Sequence, residues 1–87
     1  MSFATDAECQ ASWVSCGEKH LLGRKIVKIR YLSKKECELM GWFSRPIVIH
    51  FDDGSLVYPS QDDEGNDGGV LFGHSPDGEE LTFPVLR

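Results

Sequence analysis

The sequence contains 87 residues, which is room for one hydrophobic core, so we expect a single domain over residues 1–87. Hydrophobic residues make up 40% of the chain and charged residues 26%, a globular composition that excludes an intrinsically disordered protein. The formal net charge of −5 disfavours general binding to nucleic acid, because phosphates repel an acidic surface.

The cellular location is predicted from three features of the sequence. No apolar run comes near the roughly 20 residues that a membrane span needs, which predicts no membrane association. The first residues lack the basic start and the apolar stretch of a secretory signal. The three cysteines cannot all pair within one chain, which favours reduced thiols. We therefore expect a cytoplasmic protein.

The first predicted element is an N-terminal helix. Thr5-x-x-Glu8 matches a capping box, and Gly17 stands where a helix would end, so the pattern predicts a helix over residues 5–16. Its apolar residues do not form one stripe at helical spacing. Residues 1–21 are therefore predicted to be a helical appendage to a β-barrel core over residues 22–87.

The next elements are a strand and a short helix. Val27, Ile29 and Tyr31 alternate with Lys28 and Arg30, the period-two pattern of a half-buried strand. A second capping box, Ser33-x-x-Glu36, then predicts a helix through Met40 that Gly41 ends.

The rest of the chain is predicted to be β-structure around turns. Apolar residues alternate over residues 47–51, and Asp52-Asp53-Gly54 supplies a tight turn before residues 56–58, which predicts a β-hairpin. Two further short strands begin near Val70 and Leu81. We predict a mainly β fold with short helices, arranged as a small, SH3-like, partly open five-stranded barrel. Its predicted core is Val27, Ile29, Tyr31, Ile47, Ile49, Phe51, Leu56 and Tyr58.

Residues 60–69 form an acidic, glycine-rich segment without an apolar residue, which is typical of a loop. Its carboxylates could bind calcium, but the position that would need a bidentate Glu is His74, so the spacing disfavours a calcium site. Asp and Asn could instead shape turns through backbone hydrogen bonds. A third interpretation is that the loop binds a basic partner.

The remaining candidate chemistry is weakly patterned. Cys9, Cys16 and His20 lack the close cysteine pair of a zinc site, and Cys37 has no partner histidine placed by the sequence. We predict no metal site, no cofactor and no catalytic residue. Nucleic acid could bind a basic run beside Trp42 and Phe43, although both aromatics are also typical of core lids. That run contains Arg24, Lys25, Lys28, Arg30, Lys34 and Lys35, of which the first four are the candidate nucleic-acid contacts.

Three stretches carry a resemblance: Gly23-Arg24-Lys25-Ile26, residues 41–46, and the loop pattern S-x-D-D-E-G-N-D-G-G over residues 60–69. With these the chain resembles a group of short uncharacterised bacterial proteins over roughly three quarters of its length. The resemblance implies a bacterial origin and assigns no functional residue.

The leading hypothesis is a small interaction module that binds a protein partner, with the acidic loop as its contact surface. An accessory protein that binds nucleic acid or a divalent cation is the alternative, and an enzyme of unknown class comes third. The candidate partner-binding residues are Trp42, Phe43, Asp62, Asp63, Glu64, Asn66 and Asp67.

Overall fold

The fold contains two helices and two antiparallel sheets, seen in a computed structural model that describes residues 5–87. One sheet has the strand order β1-β2-β3, and the other pairs β4 with β5. The elements are α1 (Asp6–His20), β1 (Ile26–Tyr31), α2 (Lys34–Met40), β2 (Ile47–Phe51), β3 (Leu56–Val57), β4 (Leu71–His74) and β5 (Glu80–Phe83).

The five strands confirm the predicted β-rich fold with helices and the predicted hairpin over β2 and β3. Strand pairing does not connect the two sheets, and residues 5–87 contain no closed barrel, so the SH3-like arrangement stays a prediction. Within the same residues, neither helix is long and apolar enough to cross a membrane.

Helix α1 begins as predicted and ends later than predicted. The Thr5 hydroxyl accepts the backbone N–H of Glu8 at 3.1 Å, which caps the first turn. The helix continues through Gly17 to His20, because Gly17 keeps a negative φ and its carbonyl accepts the N–H of Leu21. The predicted end at Gly17 is therefore wrong. No residue of α1 is buried.

Helix α2 follows its predicted bounds. Ser33 and Glu36 form both halves of the capping box, and Gly41 ends the helix in the left-handed conformation with φ of 73°. The Glu36 carboxylate also holds Arg30 of β1 through two bonds, at 2.8 and 3.1 Å. This ion pair fixes α2 against one face of the three-stranded sheet.

The register of the sheet separates its residues into two chemically different faces. A bulge between Ile26 and Lys28 places Ile26 and Ile29 on the same side of the sheet. Their partners on β2, Phe51 and Ile49, lie on that side too. Lys28, Arg30 and His50 all lie on the other side. We call the first side the apolar sheet face; its residues are Ile26, Ile29, Tyr31, Ile47, Ile49, Phe51 and Val57.

The buried core lies on the face that α2 covers. Leu32, which follows β1, and Val48 of β2 pack with Cys37 of α2 and with Trp42, which follows that helix. The predicted core is therefore wrong except for Ile47, because α2 covers one face and leaves much of the apolar sheet face open. Val27, Ile29, Leu56 and Tyr58 are exposed, whereas Tyr31, Ile49 and Phe51 are half-buried.

The second sheet covers one end of the apolar sheet face. The Tyr31 hydroxyl donates to the Pro84 carbonyl at 2.7 Å, and the backbones of Arg45 and Leu86 exchange two hydrogen bonds. Leu71 of β4 helps to line a hollow of about 200 Å³ with Ile49. The end of the face that holds Ile26 and Ile29 stays open to solvent.

Candidate interaction site

The acidic loop is packed closely against the segment that follows α2. Its two ends pair at Ser60 and Gly68, and the Asp67 carbonyl accepts the N–H of Gln61 at 3.0 Å. A Cβ atom at Gly68 would lie 2.6 Å from Cδ of Pro46, so only glycine fits at this position without a shift. The loop is therefore positioned by direct backbone contact with the core.

Asp67 holds the loop to the segment after α2. Its Oδ1 atom accepts the backbone N–H groups of Phe43 at 3.0 Å, Ser44 at 2.9 Å and Gly68 at 2.8 Å. These bonds, above all the one from Ser44, lower the pKa of the Asp67 carboxyl. Asp67 therefore has a structural role, because its carboxylate binds the three backbone N–H groups that join the loop to the segment after α2.

Asp62 organises the middle of the loop. Its Oδ1 atom accepts the backbone N–H groups of Glu64 and Asn66, both at 3.1 Å. The Asn66 amide donates to the other carboxylate oxygen at 2.8 Å and is the largest cause of the lowered pKa of Asp62. Asp62 and Asn66 therefore form an internal turn, which is the turn-shaping interpretation of the sequence.

Trp42 and Phe43 are adjacent in sequence but have opposite environments. Trp42 is buried, packs edge-on against Tyr58 with ring centroids 5.7 Å apart, and donates its indole N–H to the Gly65 carbonyl at 2.7 Å. Phe43 is 83% exposed although its backbone N–H is bound by Asp67. Of these two aromatic rings, only that of Phe43 is exposed enough to contact a partner.

Asp63 and Glu64 are the exposed acids of the loop. Within residues 5–87, neither carboxylate accepts a hydrogen bond or joins a salt bridge. The structure thus divides the predicted site residues by environment. Phe43, Asp63 and Glu64 face solvent, Asp62, Asn66 and Asp67 hold the loop together, and Trp42 belongs to the core.

Sequence reasoning missed a hollow beside Phe43. It has a volume of about 210 Å³ and brings three basic residues, Lys34, Arg45 and Arg87, to its rim. Lys34 belongs to the basic run, but Arg45 and Arg87 lie outside it, so no local sequence pattern could indicate the three together. One of them is engaged, since Nε of Arg45 donates to the Leu32 carbonyl at 2.7 Å.

The basic run proposed for nucleic acid is partly neutralised. Arg24 forms a salt bridge with Asp53 at 3.3 Å, and Arg30 forms one with Glu36 at 2.8 Å. Lys28 lies on the same sheet face as Arg30, and Lys25 is exposed before β1. Pairing two of the four candidate contacts with acids reduces the positive potential that phosphates would meet.

The cysteines lie in different environments. Cys9 and Cys16 are exposed on α1, whereas Cys37 is buried and its thiol donates to the Ser44 carbonyl at 3.8 Å. Burial raises the pKa of Cys37, which disfavours the thiolate that metal binding or nucleophilic attack needs. In the described part of the chain, His, Cys, Asp and Glu side chains form no group of three that could hold a metal ion.

Comparison with models of protein families, with curated proteins and with solved structures found no match for this chain.

Proposed function

We propose that this protein is a small interaction module that binds a basic protein partner through Phe43, Asp63 and Glu64. The observation that carries the proposal is the position of Phe43, a ring that is 83% exposed on a backbone clamped to Asp67. A large aromatic held on a rigid backbone loses little conformational entropy when a partner covers it.

The chemistry of the surface indicates the kind of partner. Aromatic residues that enter a partner's pocket carry much of the affinity of protein interfaces. Asp63 and Glu64 add two exposed carboxylates that would attract Lys or Arg side chains and speed association. The other predicted site residues do not contact the partner in this proposal but hold the loop in place through hydrogen bonds. They are Asp62, Asn66, Asp67 and Trp42.

Protein binding is favoured over the alternatives by the way the charges are used. The carboxylates of Asp62 and Asp67 accept backbone N–H groups, so they are already engaged and are poorly placed to bind a cation. Nucleic-acid binding loses support because Arg24 and Arg30 are paired with acids. The SH3-like, partly open arrangement, the bacterial origin and the cytoplasmic location remain predictions.

Affinity capture from a lysate of the native host, with variants as baits, tests the proposal. We expect a captured protein to bind Phe43→Ser at least about 30-fold more weakly than wild type, because an interface hot spot contributes about 2 kcal/mol or more. The double variant Asp63→Asn with Glu64→Gln should bind the partner more slowly, and its association rate should depend much less on salt concentration.

A matched control is Phe72→Ser, because Phe72 is a 72% exposed aromatic on β4, outside the proposed surface. It should bind the partner as tightly as wild type. A partner that is lost with Phe72→Ser and kept with Phe43→Ser would place the binding surface elsewhere and contradict the proposal.

A further inference from the structure

The hollow beside Phe43 brings together cations from three separate parts of the chain. Lys34 is the first residue of α2, Arg45 lies between α2 and β2, and Arg87 comes after the last strand. The backbones of Arg45 and Leu86 exchange two hydrogen bonds, which holds the segments of the two arginines side by side. Cations that line the same hollow repel each other, and a bound anion would remove that repulsion.

Arg45 is the cation whose position is best fixed. It is half-buried, and its Nε atom donates to the Leu32 carbonyl at 2.7 Å. Within residues 5–87, its two Nη atoms donate no hydrogen bond, and the side chain joins no salt bridge. A charge that is partly buried is stabilised when it is paired, so this guanidinium lacks the anion that would complete its environment.

The charges around the hollow indicate a doubly charged anion. Of the described residues that line it, Glu38 is the only one with an acidic side chain, so three positive charges face one negative charge. Glu38 is exposed on α2, and neither of the salt bridges found in residues 5–87 includes it. A phosphate monoester carries about 1.5 to 2 negative charges at pH 7, which matches the two positive charges that remain, whereas a carboxylate carries one.

The walls of the hollow indicate what carries the phosphate. Cys37 and Trp42 are its buried residues, and Phe43 lines it with a ring that is 83% exposed. An aromatic ring of a ligand would pack against Phe43 in a stacked or edge-on arrangement. The volume of about 210 Å³ is below the roughly 300–1,000 Å³ of pockets that enclose whole drug-sized ligands. The hollow therefore fits a phosphate on a single ring better than a larger molecule.

We propose that this hollow binds an aryl phosphate monoester of the size of a phosphorylated tyrosine side chain. The Arg45 guanidinium binds the phosphate oxygens, Lys34 and Arg87 add positive charge, and Phe43 contacts the ring. Phe43 also belongs to the partner-binding surface proposed above. Binding of the phosphate is measured on this chain alone, so it does not depend on whether that partner exists.

Titration of the full chain with phenyl phosphate, followed by the amide shifts in NMR spectra, is the first test. We expect saturable shifts around the hollow with a Kd of about 1 mM or lower. Inorganic phosphate, which lacks the ring, and benzoate, which carries a single charge, should each bind at least about fivefold more weakly. Benzoate that binds as tightly as phenyl phosphate, or shifts that do not saturate by about 10 mM, would overturn the proposal.

Two adjacent lysines of α2 provide a matched pair of variants. Both are exposed, but Lys34 lines the hollow and Lys35 does not. Lys34→Gln should weaken the binding of phenyl phosphate about threefold, whereas Lys35→Gln should leave it unchanged. Arg45→Lys keeps the charge and loses the planar fork, so we expect binding about tenfold weaker. Equal losses in the two lysine variants would show attraction to surface charge in general and would overturn the site.

The source of the phosphate is distinguished with a second probe, a phosphotyrosine capped at both ends as an amide. Tighter binding of this probe than of phenyl phosphate would assign the ligand to a phosphorylated protein, and weaker binding would assign it to a free aryl phosphate. If no phosphate binds while Phe43→Ser still loses a captured protein, this proposal is wrong and the proposed function stands.

Discussion

Asp63 and Asp67 belong to the same loop and carry the same formal charge, yet they have different roles. Asp67 accepts three backbone N–H groups, one of them from the buried residue Ser44. Asp63 is exposed, and within residues 5–87 it accepts no hydrogen bond at its side chain. Removing the two carboxylates should therefore have different consequences for folding.

We expect Asp67→Ala to lower the free energy of unfolding by about 1–3 kcal/mol, because the N–H of Ser44 would stay buried without an acceptor. The double variant Asp63→Asn with Glu64→Gln is the control and should change stability by about 0.5 kcal/mol or less. Urea denaturation followed by circular dichroism measures both values. Equal losses in the two variants would contradict the structural role of Asp67.

At the scale of elements, α2 depends on a carboxylate that performs two tasks. Glu36 completes the capping box with Ser33 and holds Arg30 of β1. The hydrogen bond from Arg30, followed by those from Ser33, lowers the pKa of Glu36 from its usual 4.5 to about 2. The charged form of Glu36 is therefore favoured by folding.

This pKa predicts how stability changes with pH. A carboxyl whose pKa is lower in the folded state stabilises the protein above pH 4.5, and its contribution is lost as the pH falls through about 2. We expect Glu36→Gln to be less stable than wild type at neutral pH and the difference to shrink between pH 4.5 and 2. Urea denaturation at several pH values measures it. A difference that is constant over this range would exclude the charged pair as its cause.

The stability of helix α1 can be tested separately from that of the sheets. Gly17 lies inside the helix, and a Cβ at this position would meet no atom within 4 Å. Gly17→Ala should increase helix content, because alanine favours a helix interior by about 1 kcal/mol over glycine. Since α1 buries no residue, the unfolding midpoint of the sheets should hardly change. Far-UV circular dichroism, with NMR of the strand amides, separates the two effects, and a large shift of the midpoint would show that α1 packs on the sheets.

For the whole molecule, the contact between the two sheets can be tested at one atom. The Tyr31 hydroxyl is bonded to the Pro84 carbonyl, which links β1 to the segment after β5. Tyr31→Phe removes this bond and keeps the ring, so we expect a loss of about 0.5–1.5 kcal/mol in the free energy of unfolding. Thermal and urea denaturation measure this loss. A variant as stable as wild type would show that the bond makes no net contribution.

The sequence was sufficient to locate the strands but not to decide which sheet face is buried. Alternation of apolar residues predicts β1 and β2, and the capping box at Ser33 predicts where α2 begins. The alternation gives no information on which side α2 packs, because Leu32 and Val48 supply apolar residues to that side too. Long-range packing decided this point.

The candidate site was predictable to a similar degree. Composition indicated an exposed acidic loop, and its glycines indicated turns. The difference between Asp67 and Asp63 depends on Ser44, which is 23 residues from Asp67 in the chain. No local pattern contains this information, so the sequence grouped together acids that the fold uses differently.

The bond between the Trp42 indole and the Gly65 carbonyl gives the protein an internal optical reporter. The chain has two tryptophans, and Trp13 is exposed on α1, so Trp13→Phe would leave Trp42 as the only indole emitter. The wavelength of its emission depends on this hydrogen bond and on how far the indole is shielded from water. Any ligand, salt or substitution that lifts the acidic loop would shift that emission to longer wavelength, even while the strands keep their pairing.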